Sequence, residues 1–112
     1  MNLRNIILGI ILLFSGIVRG QSTVELKVYG NCGMCQDRIE TTAKDVIGVQ
    51  SASWQSESQV LTITVQDVIF EEMDLHQTLV AIGHDTDQLK ADDDVYENLH
   101  GCCKYERPNS IN

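Results

Sequence analysis

The chain has 112 residues, with 16 acidic against 8 basic side chains and a formal charge of -8. That length allows one small domain with one modest core. So acidic a chain gains little from counterion release on phosphate, which argues against nucleic acid as a partner and against polybasic attachment to a membrane surface. The same charge favours docking on basic protein surfaces and gathers cations nearby, or serves only to keep the protein in solution.

The first residues read as an address rather than as structure. Arg4 precedes the unbroken run "IILGIILLFSGIV", and Val18 and Gly20 stand at the small-residue positions of a cleavage site. The run is thirteen residues long, short of the ~18 expected of a spanning helix. Residues 1–20 are therefore expected to be a signal peptide, and Gln21 the mature N-terminus. The expected protein is exported, periplasmic or secreted, with no stable membrane insertion after cleavage. Loss of Arg4 and Arg19 takes the formal charge to -10.

From residue 24, Val24, Leu26 and Val28 alternate with Glu25, Lys27 and Tyr29, which predicts a half-buried strand. Gly30 and Asn31 break it. "CQDRIETTAKDVIG" then sets Ile39, Ala43, Val46 and Ile47 at helical spacing, with Gly48 as the stop. "VQSASW" and "VLTITV" predict two strands joined as a hairpin through "QSESQ". "EEMDLHQTLVAIG" predicts a second helix with Leu75, Leu79 and Ile82 on one stripe, acids in the first turn and Gly83 at its end. A short strand around "HDTDQL" completes the order β-α-β-β-α-β. That order is the ferredoxin-like α+β sandwich, two helices on a four-stranded antiparallel sheet. The division expected is 21–91 for the domain and 92–112 for a tail, with a short helix carrying Val95 and Leu99.

Four cysteines follow the first twenty residues: Cys32, Cys35 and the vicinal pair Cys102 and Cys103. An even count in an exported chain suggests disulfides, and four cysteines permit three pairings. A bond within either pair closes almost no loop and restrains the unfolded chain little, whereas pairing between the clusters remains open. Cys32 lies on the loop leaving the first strand, and Cys35 in the first turn of the first helix. The helix N-terminus favours thiolate over thiol. Two convergent thiolates without hard oxygen ligands suit Cu(I), and also Zn(II) or Hg(II). Two sulfurs leave a site open to a third ligand from a partner, which favours transfer over storage.

A strand running into "GNCGMC", the "DRIE" helix, "GVQSASW" into "VLTITV", and "LVAIGHDTD" together resemble the heavy-metal-associated domain, the family of copper chaperones and of the N-terminal modules of copper-transporting ATPases. The resemblance runs from Val24 to about Asp87. It implies the same sandwich, metal ligation by Cys32 and Cys35, and a metal-transporting ATPase or efflux-system protein as partner, with a metal-bridged homodimer as a further form. The family usually carries Gly-Met-x before the first cysteine, the methionine packed beneath the loop. Tyr29, Gly30 and Asn31 stand there instead, and Tyr29 or Met34 is the expected replacement plug.

In this family the turn after the second helix faces the metal loop. That places His84 as a third ligand, as a hydrogen-bond partner of a thiolate, or as a plain turn histidine. His76 reads as a solvated helix residue and His100 as a weak candidate beside the tail cysteines. Cys102 and Cys103 are expected to fold back as extra ligands, to pass metal on independently, or to be oxidised. The leading expectation is an exported soft-metal carrier, most often of copper, that is not an enzyme. The alternatives are a thiol-disulfide oxidoreductase using Cys32 and Cys35, and a disulfide-stapled adaptor domain. Against the oxidoreductase stands the antiparallel hairpin, with Pro108 the sole proline and thus no cis-proline beside the motif.

Overall fold

The structure, a computed structural model, describes residues 21–109. The expected signal peptide lies outside them. Three strands form an antiparallel sheet in the order β1-β3-β2: β1 is Gln21–Lys27, β2 Val49–Gln55 and β3 Val60–Gln66. Their register stacks apolar residues on the face turned to the helices. Val24 pairs with Ile63 and Leu26 with Leu61, while Ala52 and Trp54 meet the same two β3 residues from the other side. Such cross-strand pairs are what hold a sheet in one register.

Helix α1 (Gly33–Lys44) and helix α2 (Glu72–Ala81) cover that face. Cys35, Ile39 and Ala43, four residues apart, are the fully buried stripe of α1; Leu75 and Leu79 are that of α2. With Leu26, Val28, Trp54, Leu61, Ile63 and Val65 they form one core cluster. Val24 and Ile82, expected in the core, are half-buried at its margin. Ile47 departs from expectation. Because α1 ends at Lys44, Ile47 is not on its buried stripe and is 72 % exposed. His76 departs in the other direction and is fully buried, its Nδ1 2.6 Å from the Thr86 hydroxyl.

The expected fourth strand is a single bridge, Val28 to Thr86, so the described sheet has three strands and not four. The backbone pairs only briefly there: Tyr29 N–H donates to the Asp85 carbonyl and Asp87 N–H to that of Lys27. Thr86 then turns the chain. Its hydroxyl accepts from the Gln88 and Leu89 N–H groups, and its own N–H donates to the Leu89 carbonyl. A side-chain oxygen that captures the next N–H groups competes with the ladder and ends it.

Beyond this turn the chain returns to the body. Helix α3 (Asp93–Glu97) and a 3-10 turn (Gly101–Cys103) lead into an extended end. Leu99, Cys103 and Tyr105 are buried in the same cluster as the sheet and helices. Gly83 is needed at the contact with Leu99. Its φ is +104, and a Cβ there would sit 3.0 Å from the Leu99 side chain. Among the described residues no helix is long and apolar enough to cross a membrane.

Candidate metal centre

Cys32 is the N-cap of α1. Its backbone is extended, and its carbonyl accepts the first intrahelical bond from Gln36 N–H at 3.1 Å. That sets its side chain at the rim, half-exposed, while Cys35 one turn on belongs to the buried stripe. The loop before Cys32 is pressed onto the core at Gly30, where a Cβ would meet Ile39 and the Trp54 ring at 3.1 Å. Gly30 N–H is tied to the Gln59 side chain of the β2–β3 turn at 3.0 Å, and the Trp54 indole donates to the Val28 carbonyl at 2.9 Å. Trp54 and Ile39 thus underlie the loop. Of the two expected plugs, Met34 is 45 % exposed and does not fill that place, and Tyr29 is half-buried against Tyr105.

The tail brings the second pair of cysteines to the first. Cys32 Sγ lies 3.6 Å from Cys35 Sγ, 2.7 Å from Cys102 Sγ and 3.7 Å from Cys103 Sγ. All four are free thiols. Cys32, Cys102 and Cys103 also form a group whose sulfurs all lie within 4.8 Å of one another. Two sulfurs sharing a tetrahedral ion at ~2.3 Å would be about 3.8 Å apart, so the contacts of Cys32 with Cys35 and Cys103 have the separation of shared ligation. Cys102 sits closer and is the exposed member, free to turn aside.

The thiols differ in electrostatics. The hydrogen bond with Cys102 brings the Cys32 thiol down to about 6, aided by the Cys35 backbone N–H and opposed by partial desolvation. That shifts Cys32 toward the thiolate, the form that binds metal. Cys102 is pushed up by the same contact with Cys32. Burial pushes Cys103 up strongly, and its contacts with Cys35 and Cys32 add to this. A lowered Cys32 beside raised Cys102 and Cys103 is a way to gather three sulfurs without gathering three charges.

His84 is fully buried, its ring stacked on Tyr105 at 5.8 Å. Nδ1 donates to the Tyr29 carbonyl at 2.8 Å, and Nε2 has no hydrogen-bond partner among the described residues. Burial lowers its pKa, so the ring is neutral at pH 7. His84 therefore braces the strand leading to Cys32, and the cluster of close sulfurs is formed without it. His100 is exposed and precedes the 3-10 turn as its N-cap.

Sequence reasoning missed the residues that hold the tail. Tyr105 donates its hydroxyl to the Gly83 carbonyl and accepts from Asp85 N–H, at 2.7 and 2.8 Å. Tyr96 packs edge-on against it and donates to its carbonyl. Asp85, fully buried, accepts from Arg107 Nε and Nη2 at 2.8 Å each and from Ala91 N–H at 2.7 Å. Arg107 also donates to Asp93 and to the Ala91 carbonyl, and its guanidinium lies 4.7 Å over the Tyr96 ring. The signal in sequence was faint: Asp85, the first of two acids in "GHDTD", and Tyr105 and Arg107 two apart just after the cysteine pair.

No family model and no curated protein matches the chain. Among solved structures, the CopZ metallochaperone superposes with a TM-score of 0.56 at 24 % identity, covering 58 % of this chain and 98 % of its own. Oxidised MerP from Ralstonia metallidurans CH34 gives 0.56 at 22 % identity, over 60 % of this chain and 94 % of that one. The apo N-terminal domain of the zinc(II) ATPase ZiaA gives 0.53 at 23 % identity, over 83 % of this chain and 82 % of that one. Each likeness is one of fold. The chain shares its fold with these proteins.

Proposed function

We propose that this protein is a soft-metal carrier rather than an enzyme, with Cu(I) as its cargo and Zn(II) or Hg(II) as the alternatives. The observation that carries this is the convergence of four free cysteine sulfurs at one rim, Cys32 touching the other three within 3.7 Å. Thiolate sulfur selects Cu(I), Zn(II) and Hg(II) over hard cations. The neighbours in fold are the CopZ metallochaperone, MerP and a domain of a zinc(II) ATPase. They support soft-metal carriage and a transporting ATPase or efflux-system protein as the partner.

Cys32 and Cys35 are the primary ligands. Cys32 presents a sulfur of lowered pKa at the rim, and Cys35 delivers a second sulfur from the buried stripe. Cargo held by two sulfurs is open to an incoming thiolate of a partner, which adds before one of the first two leaves. Cys102, exposed on the 3-10 turn, plays the same part within the chain, and its approach competes with the partner's. The tail thereby raises retention and slows hand-over. We further propose that the protein works outside the cytoplasm, on the strength of the apolar leader at 1–20.

The test is a Cu(I) competition titration under reducing conditions. The parent protein should take Cu(I) tightly and the Cys32→Ser/Cys35→Ser variant should not, with its circular dichroism unchanged. Undiminished affinity in the double variant would remove this pair as the site.

A further inference from the structure

Cys32, Cys102 and Cys103 are grouped more closely than a two-cysteine carrier needs. Their sulfurs lie within 4.8 Å of one another, whereas Cys35 is not part of that group and touches Cys32 from the buried side. The three rank from exposed Cys102 through half-exposed Cys32 to buried Cys103, so the group runs from the core to the surface and is open to solvent at its Cys102 end. No histidine or carboxylate belongs to the group.

We propose that Cys32, Cys102 and Cys103 form a site for a trivalent thiophilic metalloid, taken up as its neutral oxyacid, arsenite being the simplest. Such a centre makes three bonds to sulfur in a pyramid and keeps its lone pair on the fourth side. Three converging sulfurs open to solvent at one end match that demand, and a fourth sulfur is not required. The reaction needs no oxidant or reductant. Three thiols condense with As(OH)3, three As–S bonds replace three As–O bonds, and the three thiol protons leave with the hydroxyls as three waters.

Charge favours the same class of ligand. Three thiolates around a trivalent centre are neutral, whereas a divalent or monovalent ion leaves one or two negative charges in an already acidic protein. The nearby cations are largely engaged: Arg107 by Asp85 and Asp93, Lys104 by Glu97 at 3.2 Å. Arg38, one turn beyond Cys35 on α1, gives its guanidinium to the Ile82 carbonyl. Neutral product therefore suits the place. The pyramid asks the Cys32–Cys102 edge to open from 2.7 Å to near the 3.7 Å of the Cys32–Cys103 edge. Cys102 is exposed and can make that adjustment by rotating its side chain.

The two sites share Cys32 and differ in Cys35, Cys102 and Cys103, and one experiment separates them. Phosphine-reduced protein is titrated with sodium arsenite and its intact mass read under native conditions. The parent and the Cys35→Ala variant should each gain one arsenic atom less three hydrogens. Cys102→Ser, a substitution at an exposed position, should lose that adduct while its circular dichroism stays unchanged. No adduct in the parent, or an equal adduct in Cys102→Ser, would overturn the metalloid site. So would an adduct lost in a folded Cys35→Ala. Cu(I) titration of the same samples reads the carrier separately: Cys35→Ala should bind Cu(I) at least ten-fold more weakly than the parent, and arsenite uptake that survives there stands apart from copper carriage.

Discussion

Replacing Arg107 with methionine should loosen the tail from the body and with it the sulfur cluster. Asp85 is fully buried and accepts two bonds from Arg107, whose side chain is 17 % exposed. The substitution leaves that carboxylate with the Ala91 N–H alone, and stranding one partner of a buried pair costs about 3–5 kcal/mol. The second pair, with the 79 % exposed Asp93, contributes no more than about 1 kcal/mol. The stacking over Tyr96 adds about 0.5–1 kcal/mol. The expected loss is therefore about 3 kcal/mol or more, a large part of a small domain's ~5–15 kcal/mol. Urea unfolding followed by the fluorescence of the single, buried Trp54 measures it. Two companions make the reasoning specific. Asp85→Asn in the same background should recover part of the loss, because no buried charge is left unpaired. Alkylation of the buried Cys103 should speed up if the tail detaches locally before the body unfolds. A loss below about 1 kcal/mol with Cys103 still protected would refute the view that this ion pair holds the tail.

Cys102→Ala removes the hydrogen bond that lowers the Cys32 thiol, so half-maximal alkylation of Cys32 should move up from about pH 6 toward the ordinary thiol value of 9.0. An unmoved profile would show another cause. Stability should fall in acid. The folded His76 and His84 rings resist protonation because they are buried, while the unfolded chain takes up those protons near 6.5. Cys32 acts in the same direction, since its thiolate persists in the fold down to about 6 while the unfolded thiol is protonated below 9.0. The urea midpoint should thus decline from pH 7 to pH 5, and the decline should be shallower in His76→Gln; a flat dependence would contradict both burials. Leu79→Ala should cost about 2–5 kcal/mol, and a neutral result would mean that α2 does not pack on the sheet as described.

Periodicity made most of the body legible. Val24, Leu26 and Val28 alternate as a strand does, and Cys35, Ile39 and Ala43 repeat as a helix does, so pairing and burial followed from pattern alone. The end of α1 was harder, because Val46 and Ile47 continue an apolar run past Lys44 while the backbone has already left the helix. The fourth strand was overread: "HDTDQL" signals a strand only weakly, and the Thr86 hydroxyl gathers the following N–H groups and turns the chain after one bridge. His76 looked solvated because its helical position is beside Leu75; the turn at Thr86 closes over it. The tail was legible only as chemistry. Vicinal cysteines announce reactivity, but what brings them to Cys32 is a buried ion pair between residues 85 and 107 and a tyrosine hydroxyl bound to two backbone groups. Those contacts join positions far apart in sequence, and no local pattern encodes them.

X-ray absorption at the copper edge of the Cu(I)-loaded protein tests the metal centre most directly, because it counts the sulfurs on the ion. The parent protein should show more than two sulfurs, from Cys32, Cys35 and the tail. The Cys102→Ser/Cys103→Ser variant, which keeps Tyr105 and Arg107, should show two and release Cu(I) faster to a competing chelator. Nitrogen or oxygen ligation in the parent, or the same sulfur count and release rate in both proteins, would contradict a carrier whose cysteine pair is closed by its own tail.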